Sequence, residues 1–209
     1  MSTPIFKPSI LVAALALAGC DGALGDLGGF NVTRSAPERI ELADGLVVAG
    51  ARGWCIDART TRIVGQTSVV VLGSCAAIAN NAFQARPAVP GVVTVSVENE
   101  AGEVPPVEAL ETFLSSDVGR AALARDGRAA SVEILERRRE GDLLLVHVED
   151  QSIAPSTGAS SDYWRALFGL DGRFVTVSLT GLVSRPIDAR DGFAALIAQV
   201  EQIKAANNP

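Results

Sequence analysis

The sequence predicts an α+β fold in which a largely antiparallel sheet is covered by a middle helical segment and a C-terminal helix. Three observations support this class: short β-branched apolar runs in the first half, two hairpin patterns in the second half, and an amphipathic helix at the end. The chain has 209 residues, enough for one domain with a sizeable core. We place this single globular domain at residues 39–209.

The first half contains the predicted strands that begin the sheet. Ile40 to Ile56 holds short apolar runs split by Asp44-Gly45 and Arg52-Gly53, which indicates two or three strands. Thr67 to Ser74 is β-branched and almost wholly apolar, so we expect a central strand buried on both faces. Val92 to Val97 is predicted to be another strand.

The middle segment has the pattern of two short helices. A pair of prolines precedes Val107, Leu110 and Leu114, whose spacing puts them on one face of a helix. The polar run Ser115 to Asp117 is expected to end this helix and cap the next one, at Val118 to Arg125.

Two hairpins follow the helical segment. Val132 to Ile134 and Leu143 to Val148 flank one turn, and Trp164 to Leu170 and Arg173 to Leu182 flank Asp171-Gly172. An Asp-Gly pair between alternating apolar residues is the strongest short-range signal for a tight hairpin. In each strand, alternate side chains are expected to point to opposite faces of the sheet.

The chain ends with a predicted helix that Asp188 is placed to cap. Its apolar stripe should lie on the sheet and consists of Phe193, Leu196, Ile197, Val200 and Ile203. From Ile40 to Ala206 the order of elements resembles the Mog1/PsbP-like domains, some of which occur in bacterial lipoproteins. The resemblance implies an architecture and no functional residue, and a cystatin-like or other sheet-plus-helix fold is the alternative.

The first residues have the layout of a secretory signal. One basic residue, Lys7, precedes the apolar run Ile10 to Leu17, which is about half the roughly 20 residues needed to span a bilayer. The end of this run and the residues after it form the motif Leu17-Ala18-Gly19-Cys20, which resembles the lipobox of bacterial lipoproteins. This resemblance implies that residues 1–19 are a signal peptide and that Cys20 becomes acylated and holds the protein on the lipid bilayer, facing the periplasm.

Asp21, the residue after the predicted lipid site, bears on which membrane holds the protein. Asp21 resembles the inner-membrane retention signal of enteric bacteria, which favours the inner membrane and leaves the outer membrane as the alternative. Residues 20–38 are rich in glycine and small polar residues, so we predict a flexible tether with a span of about 20–25 Å.

Cys55 and Cys75 are the remaining cysteines once Cys20 is lipidated. An even pair in an exported and therefore oxidising compartment predicts a disulfide. The spacing is not Cys-x-x-Cys, and a thiol enzyme would need His147, the single histidine of the chain, as its base.

Composition and motifs exclude several classes of function. The formal net charge is −6 at pH 7, and arginine supplies nearly all the positive charge, so nucleic acid is not expected as a partner. The chain has no phosphate-binding loop, no Gly-x-Ser-x-Gly and no His-Glu-x-x-His, and no metal or cofactor is predicted.

Two charged clusters have a functional and a structural interpretation. Glu98, Glu100 and Glu103 lack the spacing of a calcium loop, and a solvated turn explains them better. Arg137 to Arg139 is bracketed by glutamates, so an exposed hairpin end is preferred over contact with anionic headgroups.

The function that follows is a membrane-anchored envelope lipoprotein with a non-catalytic binding or assembly-support domain, whose partner is an unidentified envelope protein. The alternative is a small periplasmic hydrolase or ligand-binding protein with a pocket near His147 and Trp164. His147 lies in an alternating strand pattern, which is typical of a sheet histidine, and Trp164 alternates with Ala166 and Phe168, which is typical of a core residue. No catalytic residue is predicted.

Overall fold

The computed structural model describes residues 35–43 and 45–208 and has the α+β architecture predicted from the sequence. The middle helices and the C-terminal helix are both present. The strands are β1 (Arg39–Glu41), β2 (Val47–Ala49), β3 (Trp54–Ile56), β4 (Arg62–Val64), β5 (Thr67–Ser74), β6 (Val92–Glu98), β7 (Val132–Glu140), β8 (Leu143–Asp150), β9 (Ala159–Leu170) and β10 (Arg173–Leu182). The helices are α1 (Cys75–Ile78), α2 (Val107–Ser115), α3 (Asp117–Leu123) and α4 (Ala189–Asn207).

One antiparallel sheet of eight strands forms the centre of the domain. Its order is β3-β5-β6-β10-β9-β8-β7, and β4 also pairs with β5. The hairpin β9–β10 lies in the middle, where Val177 is opposite Val95 on one side and Ala166 on the other. Strands β1 and β2 form a separate two-stranded ribbon.

The larger core lies between the sheet and α4, and we call this side of the sheet the α4 face. Phe193, Leu196 and Ile203 of α4 are at most 1% exposed, as the predicted stripe requires. Gln199 is also fully buried, and its side chain binds the ribbon: Nε2 donates to the carbonyl oxygen of Ala49 at 2.7 Å. The amide of Ala51 donates to Oε1 of the same glutamine at 2.9 Å.

The opposite side of the sheet, the α2–α3 face, is covered over part of its width. Helices α2 and α3 pack on β8 and β9 through a second core that includes Leu110, Leu114, Leu144 and Leu167. Strands β5, β6 and β10 present half-buried residues on this face, namely Val69, Val71, Thr94, Ser96, Thr176 and Ser178. In β6 and β10, the alternation of buried valine with half-buried serine and threonine thus marks the part of the sheet that the helices leave open.

Several local expectations need correction. Thr67–Ser74 is buried on the α4 face only, because Val70 and Leu72 are fully buried while Val69 and Val71 are half-exposed where α2 and α3 do not reach. Asp188 occupies the N-cap position of α4, but its side chain makes no capping hydrogen bond. Strand β4 and helix α1 were not predicted; each is very short, which weakens any periodic signal.

The predicted disulfide is present. Cys55 on β3 and Cys75 at the start of α1 are bonded with a Cα–Cα distance of 4.8 Å, inside the range that disulfides tolerate. Ala36 packs on the bonded pair, and all three residues are buried. The bridge therefore joins the beginning of the described domain to the end of β5.

Among the described residues, no helix is long and apolar enough to cross a membrane. The same residues contain no group of three or more histidine, cysteine, aspartate or glutamate side chains arranged to hold a metal ion.

Candidate functional site

A groove runs along the α2–α3 face, between the flank of the two helices and the open part of the sheet. Its volume is about 590 Å³. One wall is apolar and includes Ala109, Leu110 and Phe113 of α2, while Leu167 and Phe174 belong to its floor. Phe113 is 41% exposed, so the groove presents an aromatic side chain that the fold leaves uncovered.

Arg165 is the one basic residue lining this groove. It lies on β9, and because strand residues alternate, it points to the opposite face from its neighbours Trp164 and Ala166, which belong to the α4-face core. Its Nε donates to Oγ of Ser178 at 3.0 Å. Within the described part of the chain, no carboxylate lies within ion-pairing distance of Arg165. The terminal nitrogens of the guanidinium are therefore available to bind a carboxylate in a bidentate manner.

Tyr163 supports Arg165 and fixes α3 to the sheet. The Tyr163 hydroxyl donates to the carbonyl oxygen of Leu123 at 2.7 Å, and the Arg165 guanidinium lies 5.0 Å from the centre of the tyrosine ring. Burial raises the pKa of Tyr163 to about 12, with Asp150 adding to the rise and Arg165 opposing it. The phenol therefore stays neutral and remains a hydrogen-bond donor at physiological pH. A smaller cavity of about 210 Å³ continues from Arg165 past this tyrosine.

The other end of the groove is acidic. Glu98, at the end of β6, and Glu103, in the following loop, both line it and are exposed. Ser178 of β10 is opposite Arg165, and Val175 of β10 is opposite Val97, the residue before Glu98, so Glu98 lies four residues, or about 13 Å along the strand direction, from Arg165. The groove thus has an apolar wall, a cation at one end and two carboxylates at the other.

The sequence predicts that Glu98, Glu100 and Glu103 are solvated, and all three side chains are exposed. Gly102, which lies between Glu100 and Glu103, holds this segment at the end of the sheet by donating its amide to the carbonyl oxygen of Gly172 at 2.8 Å. Two of the three glutamates therefore form the acidic end of the groove, a position that sequence spacing does not reveal.

His147 and Trp164 are in contact, as the alternative hypothesis required, but they lie on the other face of the sheet. Their rings stack with centres 4.5 Å apart, and His147 is 7% exposed. Its Nε2 is 3.8 Å from Oδ2 of Asp162 and forms no hydrogen bond with any described residue. Burial lowers the pKa of His147, although Asp162 and Glu136 oppose this effect. Neither ring lines the grooves described here.

Arg137, Arg138 and Arg139 lie in the edge strand β7, which is longer than the sequence indicated. Arg138 lies over the ring of Phe193 at 3.9 Å and pairs with Glu136. Arg137 and Arg139 reach the other face, where they bind Ser115 and Glu108 of α2. Because each guanidinium has a partner within the domain, this cluster holds α2 and α4 onto the sheet edge.

Sequence reasoning missed the half-buried Arg165 and the exposed Phe113 as groove residues. The signal for Arg165 is a single charged residue between Trp164 and Ala166 in the otherwise apolar second half of this strand. For Phe113 it is an aromatic residue just outside the apolar face formed by Leu110 and Leu114. Of the predicted functional residues, Cys20 lies outside the described part of the chain, and Cys55 and Cys75 form the predicted bond.

Comparison with protein-family models, with curated proteins and with solved structures finds no match to this chain.

Proposed function

We propose that this chain is a lipid-anchored protein of the bacterial envelope whose folded domain is a non-catalytic binding module. Cys20 carries the lipid, and the domain faces the periplasm, with the inner membrane favoured by Asp21. The signal layout and the motif Leu17-Ala18-Gly19-Cys20 support the anchor. The disulfide between Cys55 and Cys75 supports an oxidising compartment, since such bonds persist mainly in exported proteins.

The groove with Arg165 is the observation that carries the binding proposal. Its occupant is an extended, largely apolar segment of a partner envelope protein that places one carboxylate beside Arg165. A half-buried arginine without a carboxylate partner among the described residues is charge-complementary to such a segment. The apolar wall beside it, which includes the exposed side chains of Phe113 and Ala109, supplies the surface that the segment buries.

The opposite charges at the two ends of the groove also determine the orientation in which the segment binds. Glu98 and Glu103 at the far end repel a second carboxylate and favour a basic or amide group there. The separation of about 13 Å corresponds to roughly four residues of extended chain. The segment therefore binds with its acidic residue toward Arg165.

A site-specific photo-crosslinker at position 113 tests this proposal in intact envelopes. We expect one discrete crosslinked species with the probe at Phe113 and none with the probe at Val118, which is 70% exposed on α3 and outside the groove lining. Arg165→Gln should remove the species, whereas Arg190→Gln on the exposed surface of α4 should not. A species that survives Arg165→Gln, or that forms equally from position 118, would contradict the groove as the binding site.

The anchor is tested separately by metabolic labelling with palmitate. The wild-type chain should incorporate the label, and Cys20→Ser should not. Label on the Cys20→Ser chain would show that the lipid lies elsewhere.

A further inference from the structure

We propose that the loop after α1 docks the domain onto an anionic lipid surface, with Phe83 inserted among the headgroups. This inference goes beyond the binding groove and depends on the proposed lipid anchor. Three observations support this docking surface: a fully exposed aromatic residue, the charges around it, and the position at which the described chain enters the domain.

Phe83 is 98% exposed, far more than any other large apolar side chain of the described chain. Its loop is held by backbone hydrogen bonds: the amide of Ala76 donates to Ala85, and the amide of Asn81 donates to Ala76. At the tip, the Phe83 amide donates to Oδ1 of Asn81 at 3.0 Å. The loop is therefore a defined structure that projects an aromatic ring away from the core.

The two cavities beside the outer part of this loop are lined by basic and not by acidic residues, although the protein is acidic overall. Arg86 and Arg185 are exposed and line the cavity beside the loop, and Arg52 shares a neighbouring cavity with Arg86. No carboxylate lines either cavity, and within the described residues none of the three arginines forms an ion pair. Exposed arginines next to an exposed ring match an anionic bilayer surface, because basic side chains are attracted to anionic headgroups and aromatic rings favour the interface.

The first described residues enter the domain at the base of the same loop. Ser35 lies beside Ala77 and Ala79, and Ala36 packs on the disulfide that begins α1. Cys20 precedes Ser35 by fifteen residues, which at full extension reach about 50 Å. A lipid on Cys20 therefore allows this end of the domain to reach the membrane surface.

The opposite end of the sheet has the charge expected of a surface that faces away from anionic lipid. Strand β6 begins at Val92, beside the loop, and ends at Glu98, about 20 Å further along the strand. Glu100 and Glu103 follow at that far end. Docking through Phe83 thus leaves the acidic end of the groove directed away from the bilayer.

Tryptophan quenching by brominated lipid tests this orientation. The palmitate-labelled full chain is placed in vesicles of phosphatidylethanolamine and phosphatidylglycerol, with and without dibrominated acyl chains. The native Trp54 and Trp164 are 3% and 1% exposed, so they contribute little quenching. Phe83→Trp should lose fluorescence in brominated vesicles, and Arg86→Gln in the same chain should reduce that loss.

Val118→Trp is the matched control. Val118 is 70% exposed on α3, which packs near the β7 edge of the sheet, whereas the Phe83 loop follows β5. We expect no quenching at position 118. If Phe83→Trp remains unquenched, or position 118 is quenched equally, in protein that carries palmitate and floats with the vesicles, the docking surface is refuted while the anchor stands. If the wild-type chain carries no palmitate, the anchor and the docking geometry built on it both fail.

Discussion

Replacing both cysteines with alanine (Cys55→Ala/Cys75→Ala) should lower the free energy of unfolding by about 3.3 kcal/mol. This value counts only the conformational entropy that the unfolded chain gains when the bond is absent. The two cysteines are 20 residues apart, and the chain-entropy relation for a loop of that length gives this value at 25 °C. Alanine also removes two buried sulfur atoms that pack on Ala36, which adds to the loss. The shift is a large share of a typical stability of about 5–15 kcal/mol.

The measurement is urea unfolding followed by tryptophan fluorescence, since Trp54 is next to Cys55 in β3 and only 3% exposed. For a domain of this size, each kcal/mol corresponds to about 2–4 °C in Tm, so a thermal melt should fall by roughly 7–13 °C. Reduced wild-type protein is the matched control. It should unfold close to the double variant, and reductant should leave the variant unchanged.

Two results would refute this reasoning. Full thiol labelling of the denatured, unreduced mature protein at Cys55 and Cys75 would show that no bond forms. An unchanged urea midpoint in the double variant, with the bond demonstrated in the wild type, would show that the loop is already restricted in the unfolded chain.

Three further predictions concern the α4 face. Gly192→Ala should lower stability by about 1–3 kcal/mol or more, because the added Cβ would lie 2.2 Å from the Trp164 ring; an unchanged thermal melt would contradict this packing. Gln199→Leu should cost at least about 2 kcal/mol in urea unfolding, since it leaves two buried backbone groups of the ribbon without partners, and a neutral result would mean that water replaces the amide. Burial keeps the pKa of His147 in the folded protein below its ordinary value of 6.5, so the unfolded chain takes up a proton at a higher pH than the folded chain does. The contribution of the neutral histidine to the free energy of unfolding is therefore fully present above about pH 6.5 and is lost as the pH falls through the lower folded pKa. His147→Phe should reduce this loss when urea midpoints at about pH 7.5 and 5.5 are compared, and equal pH dependence in both proteins would exclude the histidine as its cause.

Local patterns were sufficient for most of the elements. The Asp171-Gly172 turn and the alternation of Arg173–Leu182 specify a hairpin without reference to the rest of the chain, and β9 and β10 pair around that turn. The stripe that includes Phe193 and Leu196 specifies which side of α4 is buried. Very short elements such as β4 have too few residues for a periodic signal.

Burial on each face of the sheet was harder to predict. Thr67–Ser74 is apolar on both sides, yet only the α4 face is buried, because the width that α2 and α3 cover depends on how they pack on β8 and β9. The same packing decides that Phe113 is exposed beside Arg165 while Leu114 is buried. These outcomes depend on contacts between segments far apart in the chain.

The sequence by itself determined the α+β class, the hairpins, the buried stripe of α4 and the pairing of Cys55 with Cys75, and it supplies the whole basis for the proposal that Cys20 is lipidated. Each of these follows from spacing within one segment or from the number of cysteines. Only the tertiary structure placed Arg165, Phe113 and the two glutamates, Glu98 and Glu103, around one groove. The physical reason is that side-chain period specifies a face within a strand or helix, whereas the neighbour that covers that face is chosen by packing across the whole domain.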